Sequence, residues 1–165
     1  MKYILDSNVL LEANNRYYGM DFCPAFWDFI LDLNKKEKLF LIDKAIQTIS
    51  NIDESIRTWI KDNGKGFFLK TDEIDVVRIN DLTSYIKGMS LQQNVKNDFL
   101  HSDSFHLFAY VLSNRDEYIL ISLENVDPNA TKIKLPNLCK DLKLKHKNIY
   151  EFLRDEKALF VLGSK

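Results

Sequence analysis

The chain has 165 residues, 45% of them hydrophobic, enough for one domain over residues 1–165 with a real core. No apolar run approaches the ~20 residues that span a bilayer, and the opening lacks the charged-then-apolar pattern of a secretory signal, so a cytoplasmic protein without membrane contact is expected. A net charge of −1 argues against a protein that coats nucleic acid, but the charge is uneven: residues 131–165 hold nine Lys or Arg and four Asp or Glu, residues 1–130 fourteen and twenty.

In chain order, apolar runs predict strands at residues 3–5, 39–42 (LFLI) and 118–122 (YILIS), with weaker signals at 67–69 and 132–135. Helical periodicity falls at about 8–16, 24–36, 43–62 with a break near Asn51, 73–88, 103–114 and 148–155. Pro24 suits a first helical turn, where its missing N–H costs nothing. Strands alternating with helices predict an α/β fold, a mainly parallel sheet with helices on both faces. No Gly-rich phosphate loop follows a strand, and there is no Gly-x-Ser-x-Gly turn. Cys23, Cys139 and the three histidines (His101, His106, His146) show no zinc-ligand spacing.

Asp6 follows the first strand directly, at the sheet rim where open α/β folds place ligands. A carboxylate there either caps the next helix or carries chemistry, and Ser7 and Asn8 are also available as caps. Ser102 is a cap for the helix in HSDSFHLFAYVLSN, which puts Asp103 in the first turn, where the helix dipole favours it. Glu12 sits four residues after Asn8 and four before Arg16, so it shares a helix face with one and can pair with the other. Tyr17, Tyr18, Phe22, Phe26 and Trp27 suit core packing, or base stacking near Arg16. The lysines of KDLKLKHK (Lys143, Lys145, Lys147) suit a solvated edge, or RNA backbone contact.

The opening KYILDSNVLLEANNRYYGMDFCPAFWDF resembles that of PIN domains, the fold of many metal-dependent ribonucleases, including VapC-like toxins of bacterial toxin–antitoxin pairs. More narrowly, NRYYGMDFCPAFWDF is similar to the leader of a bacterial PIN-like family. Its members also carry a late Asp-plus-aromatic helix and an IKLPNLC-like turn. The resemblance implies a three-layer PIN-like fold and a Mg²⁺- or Mn²⁺-dependent endoribonuclease, the toxin of a toxin–antitoxin or phage-defence pair. RNA is then the substrate and an antitoxin protein the partner, with a homodimer left open.

Hard divalent cations prefer oxygen ligands, so such a site needs several carboxylates converging on one rim. The resemblance assigns Asp6, Asp103 and Glu124 to the metal, with Glu12 assisting, and Ser122 followed by Glu124 resembles the hydroxyl-then-acid pattern after the late strand. Asn8, Ser122, Arg16 and the three lysines are the candidate substrate contacts. One departure stands out. PIN nucleases carry an acid on the helix after the second strand, and the matching residue here is Thr48, which is expected to face the Asp6 rim. That departure speaks for one rival, a degraded scaffold that binds RNA or protein without cleaving; a structure-specific DNA nuclease of the same fold is a third reading.

Overall fold

The computed structural model describes residues 1–72 and 74–161. Five parallel strands form one sheet: β1 (Lys2–Leu5), β2 (Leu39–Ile42), β3 (Phe68–Leu69), β4 (Tyr118–Ser122) and β5 (His146–Asn148), in the order β3-β2-β1-β4-β5. β1 lies at the centre, with Ile4 opposite Phe40 on one side and Leu120 on the other. The chain winds outward from β1 through β2 to β3, then returns to begin the other half with β4. The strand order therefore reverses between β1 and β4, and in open α/β sheets such a switch point opens a crevice at the carboxyl ends of the strands.

The three strong strand signals succeed because YIL, LFLI and YILIS are buried on both faces, as parallel strands under two helical layers must be. The signal at 132–135 is a correction. Leu135 starts a helix there, and the fifth strand is instead the short polar segment His146–Asn148.

The expected helices are present, with ends moved by a residue or a few. They are α1 (Ser7–Glu12), α2 (Pro24–Lys35), α3 (Lys44–Ile52), α4 (Glu54–Asn63) and α5 (Val76–Gly88). Two more elements, α6 (Gln93–Leu100) and α8 (Leu135–Asp141), arise where no helix was anticipated; α7 (Asp103–Ser113) and α9 (Ile149–Asp155) were anticipated. Residue 73, where the fifth helical pattern was expected to begin, lies outside the described residues, as do 162–165. Asp53 separates α3 from α4, its side chain accepting from the backbone N–H groups of Ser55 and Ile56.

One helical layer contains α2 and α9, locked by aromatic contacts: Tyr3 and Phe29 both meet Phe152, and Phe26 and Phe29 both meet Phe160. In the other layer α3 packs on α1 and α7. Beyond α1 the chain continues as a π-helical turn, Ala13–Tyr17, closed by the Tyr18 N–H donating to the Ala13 carbonyl at 2.6 Å. Asn14 within that turn donates to Asp53 Oδ2 and Ser55 Oγ, so the widened turn is tied to the start of α4. The aromatic leader divides. Phe26 and Trp27 are core, the Trp27 indole donating to the Tyr18 carbonyl, while Tyr17 and Phe22 are exposed. Cys139 is a buried free thiol whose pKa burial pushes up to about 12, and Cys23 is also free. Among the described residues, no helix is long and apolar enough to cross a membrane.

Candidate functional site

Asp6 leaves β1 at the switch point, and its backbone N–H still donates to the Ile121 carbonyl of β4 at 2.9 Å. It occupies the N-cap position of α1, yet its side chain makes no capping hydrogen bond. The carboxyl group instead accepts from Asn8 Nδ2 (3.1 Å) and from Ser104 Oγ (3.1 Å), the second residue of α7. Only 4% of Asp6 is exposed. Burial, then the nearby Asp103 charge and more weakly that of Glu124, push its pKa up to about 6, against the hydrogen bonds from Asn8 and Ser104. A carboxyl raised by like charges as well as by burial marks a place where negative groups have been gathered.

The two other acids arrive by separate routes. Ser102 caps α7 by accepting from the Phe105 N–H, which sets Asp103 in the first turn as expected. Glu124 follows β4, where its N–H donates to Ser122 Oγ at 3.2 Å. One Glu124 oxygen accepts from the Leu135 N–H at 3.2 Å, so this carboxylate also anchors the start of α8. Ser122 is fully buried and 2.9 Å from His146 Nε2. It serves as a prop for the Glu124 turn rather than as a surface contact.

These elements enclose a cavity of about 510 Å³. Asp6, Asn8, Glu12 and Glu124 line it, together with Asp98 and Lys132, which the sequence did not single out. Phe99, Leu123 and Ile133 supply an apolar wall. Glu12 also pairs with Arg16 at 2.9 Å, the i,i+4 contact anticipated for it. Arg16 itself is not among the lining residues.

Asp103 opens on a second cavity, of about 230 Å³, lined by Lys44, Gln47, Thr48, Asn51, His101 and His106. Thr48 therefore lines the cavity that Asp103 opens on and not the larger one that Asp6 lines. Part-burial, and then the nearby Lys44 charge, lower the pKa of His106.

The basic segment lies elsewhere. Lys145 donates to the Met1 sulfur, and Arg115 donates to the Leu142 and Lys143 carbonyls, which places Lys143 and Lys145 at the amino ends of the strands. Lys147 on β5 is ion-paired with Asp155. None of the three reaches the carboxylates, because β5 runs parallel to β1 and the residues before it sit at the opposite pole.

The acids offer hard oxygen donors, suited in kind to Mg²⁺ or Mn²⁺ and not to zinc. They are neighbours and not a finished cage: among the described residues, no three His, Cys, Asp or Glu side chains stand close enough to hold a metal ion between them. Asp6, with Asp103 and Glu124 near enough to raise it, offers carboxylate oxygens of the kind a divalent cation would take, and Glu12 and Asp98 line the same cavity as Asp6. No curated protein and no solved structure matches the chain. A family model matches residues 3–160, nearly the whole chain, and the chain belongs to that family, described as Domain of unknown function (DUF4411).

Proposed function

We propose that this protein is a Mg²⁺- or Mn²⁺-dependent endoribonuclease of the PIN-like kind, acting in the cytoplasm as the toxin of a toxin–antitoxin or phage-defence pair. The observation that carries the reading is Asp6: a buried, non-capping carboxyl at the switch point, raised by burial and by Asp103 and Glu124. Clustering of that kind is unfavourable for the protein alone and becomes favourable when a cation neutralises it. A divalent ion would supply Lewis acidity to activate water and to stabilise the leaving oxygen.

The chain's own contribution is placement. Asn8 and Ser104 orient the Asp6 carboxyl, Ser122 and Leu135 fix Glu124, and the apolar wall of Phe99, Leu123 and Ile133 limits water around the reacting phosphate. Glu12 lines the same cavity, and released from its pairing with Arg16 it would be a group to accept a proton from the attacking water. The test is cleavage of RNA with Mn²⁺ by the natural protein and by Asp6→Asn, with a matched DNA hairpin alongside. Cleavage lost on substitution supports the reading, and equal digestion of DNA transfers it to a structure-specific DNA nuclease.

A second reading is a scaffold that binds RNA or a protein partner without cutting. The observations that favour it are the absence of a three-donor cluster among the described residues and Thr48 beside Asp103 in place of an acid. Failure to bind Mn²⁺ at millimolar concentration would decide for the scaffold.

A further inference from the structure

The smaller cavity beside Asp103 has a different chemistry from the acidic one. Every residue that lines it is polar, and Asp103 is its one carboxylate. Among the described residues, the side chains of Lys44, Gln47, Thr48, Asn51 and His106 have no hydrogen-bond or ion-pair partner, so five polar groups face the space unengaged. Lys44 forms no ion pair with neighbouring Asp43, whose carboxylate accepts the Thr71 hydroxyl at 2.7 Å. His101 is half used, its Nδ1 lying 2.7 Å from the Asn97 carbonyl.

Lys44 and the neutral donors give an anion partners there, with Asp103 the one carboxylate against it. A metal ion is disfavoured there because the Lys44 ammonium would oppose it, and His101, Asp103 and His106 do not come together as a ligand set. At about 230 Å³ the space is below the ~300–1,000 Å³ of ordinary small-molecule pockets, which suits one compact anion and not a whole nucleotide. Lys is a point-charge phosphate binder, and Gln, Thr and Asn supply neutral donors around the remaining oxygens. The location adds the rest. Asp103 lines this cavity, and the next residue, Ser104, lines the larger one and donates to Asp6, so the two cavities meet at the start of α7 and a strand held at Asp6 has a neighbouring phosphate within reach of this lining.

We propose that the cavity formed by Lys44, Gln47, Thr48, Asn51 and His106 is a phosphate subsite that takes a backbone phosphate next to the scissile one. The assignment rests on the nucleic-acid reading of the neighbouring acids, but its binding step needs no metal and no cleavage. On the helix where a metal-binding acid was expected, this chain offers a cation and amide donors, and so holds the substrate directly.

Binding of a short single-stranded RNA in EDTA, read by fluorescence anisotropy across a salt series, tests it. Lys44→Gln should weaken binding about fivefold to tenfold and make the slope of log affinity against log salt shallower by roughly 0.7, the value for one single-strand phosphate contact. Lys44→Arg should keep both. Thr48→Glu should weaken metal-free binding, because it sets a carboxylate against the phosphate. Asp6→Asn should bind at least as well as the natural protein, which separates this subsite from the chemistry. Thermal melts establish that each variant is folded. An unchanged affinity and slope in Lys44→Gln, or no RNA binding by the natural protein in EDTA, overturns the subsite. If the natural protein never cleaves but the Lys44→Gln effect appears, the nuclease reading falls and the subsite stands.

Discussion

Replacing Asp6 with Asn removes an ionisation that the fold opposes. The carboxyl is raised from an ordinary 3.8 to about 6. An acid raised in this way contributes its stability fully below the unfolded pKa and loses it as pH climbs through the folded value. At pH 7 the ionised group therefore weighs on the native state, by roughly 3 kcal/mol at most, since each pKa unit is worth about 1.4 kcal/mol. Asn keeps the shape but can accept only one of the hydrogen bonds from Asn8 and Ser104, a loss of about 1 kcal/mol. The balance is a gain of about 1–2 kcal/mol, or roughly 2–8 °C in melting temperature for a chain of this size. Melts in EDTA at pH 7 should show it, and the gap between the two proteins should close as pH falls toward 4. Adding Mg²⁺ should raise the natural protein alone. If Asp6→Asn melts well below the natural protein at pH 7 in EDTA, Asp6 is a structural anchor for Asn8 and Ser104 and its catalytic role is lost.

Asp6→Asn and Asp103→Asn should each abolish RNA cleavage, and the double variant should be hardly slower than either, because groups that act as a unit are non-additive; rates that multiply would refute a shared site. Thr48→Glu should leave Mn²⁺ binding measured by calorimetry unchanged, since its carboxylate enters the smaller cavity, where Lys44 opposes a cation; tighter binding would show that the ion reaches Asp103 from that side. Changing Lys143, Lys145 and Lys147 together to Gln should leave the salt dependence of RNA binding unaltered, because two lie at the far pole and the third is paired with Asp155. A slope shallower by about 2, close to 0.7 for each lysine, would put RNA on that pole instead.

The sheet was legible where burial is two-sided. YIL, LFLI and YILIS can be little else, and their order with the helices between them implies the parallel three-layer plan. β5 was not legible: His146–Asn148 is three polar, half-buried residues, recruited because Leu120, Ile121 and Ser122 leave an open edge beside them. KIKLP looked extended because Lys and apolar residues alternate there, yet Leu135 and Pro136 form a first helical turn that Glu124 anchors. Asp6 and Glu124 could be found because each ends a strong strand. Asp98 could not, since QNVKNDFL shows too few apolar residues to declare the helix that carries it to the cavity. As a carboxylate Asp103 carries the stronger signal, although it is its neighbour Ser104 that touches Asp6. Its signal was present in the capping register: once Ser102 is the cap, the next two residues both stand at the helix mouth.

The central position of β1 has a bearing on when the protein becomes dangerous to its own cell, if it is the nuclease proposed. Leu5 is synthesised long before its partner Ile121. Pairings this distant in sequence form late, after the loop between them has been closed. Asp6 depends on that pairing for its backbone anchor, and it gains Asp103 and Glu124 as neighbours only when α7 and β4 have docked. A nascent or truncated chain ending before Tyr118 lacks the switch point altogether and should be inert. The topology thus withholds the site until β4 has been made and has docked beside β1.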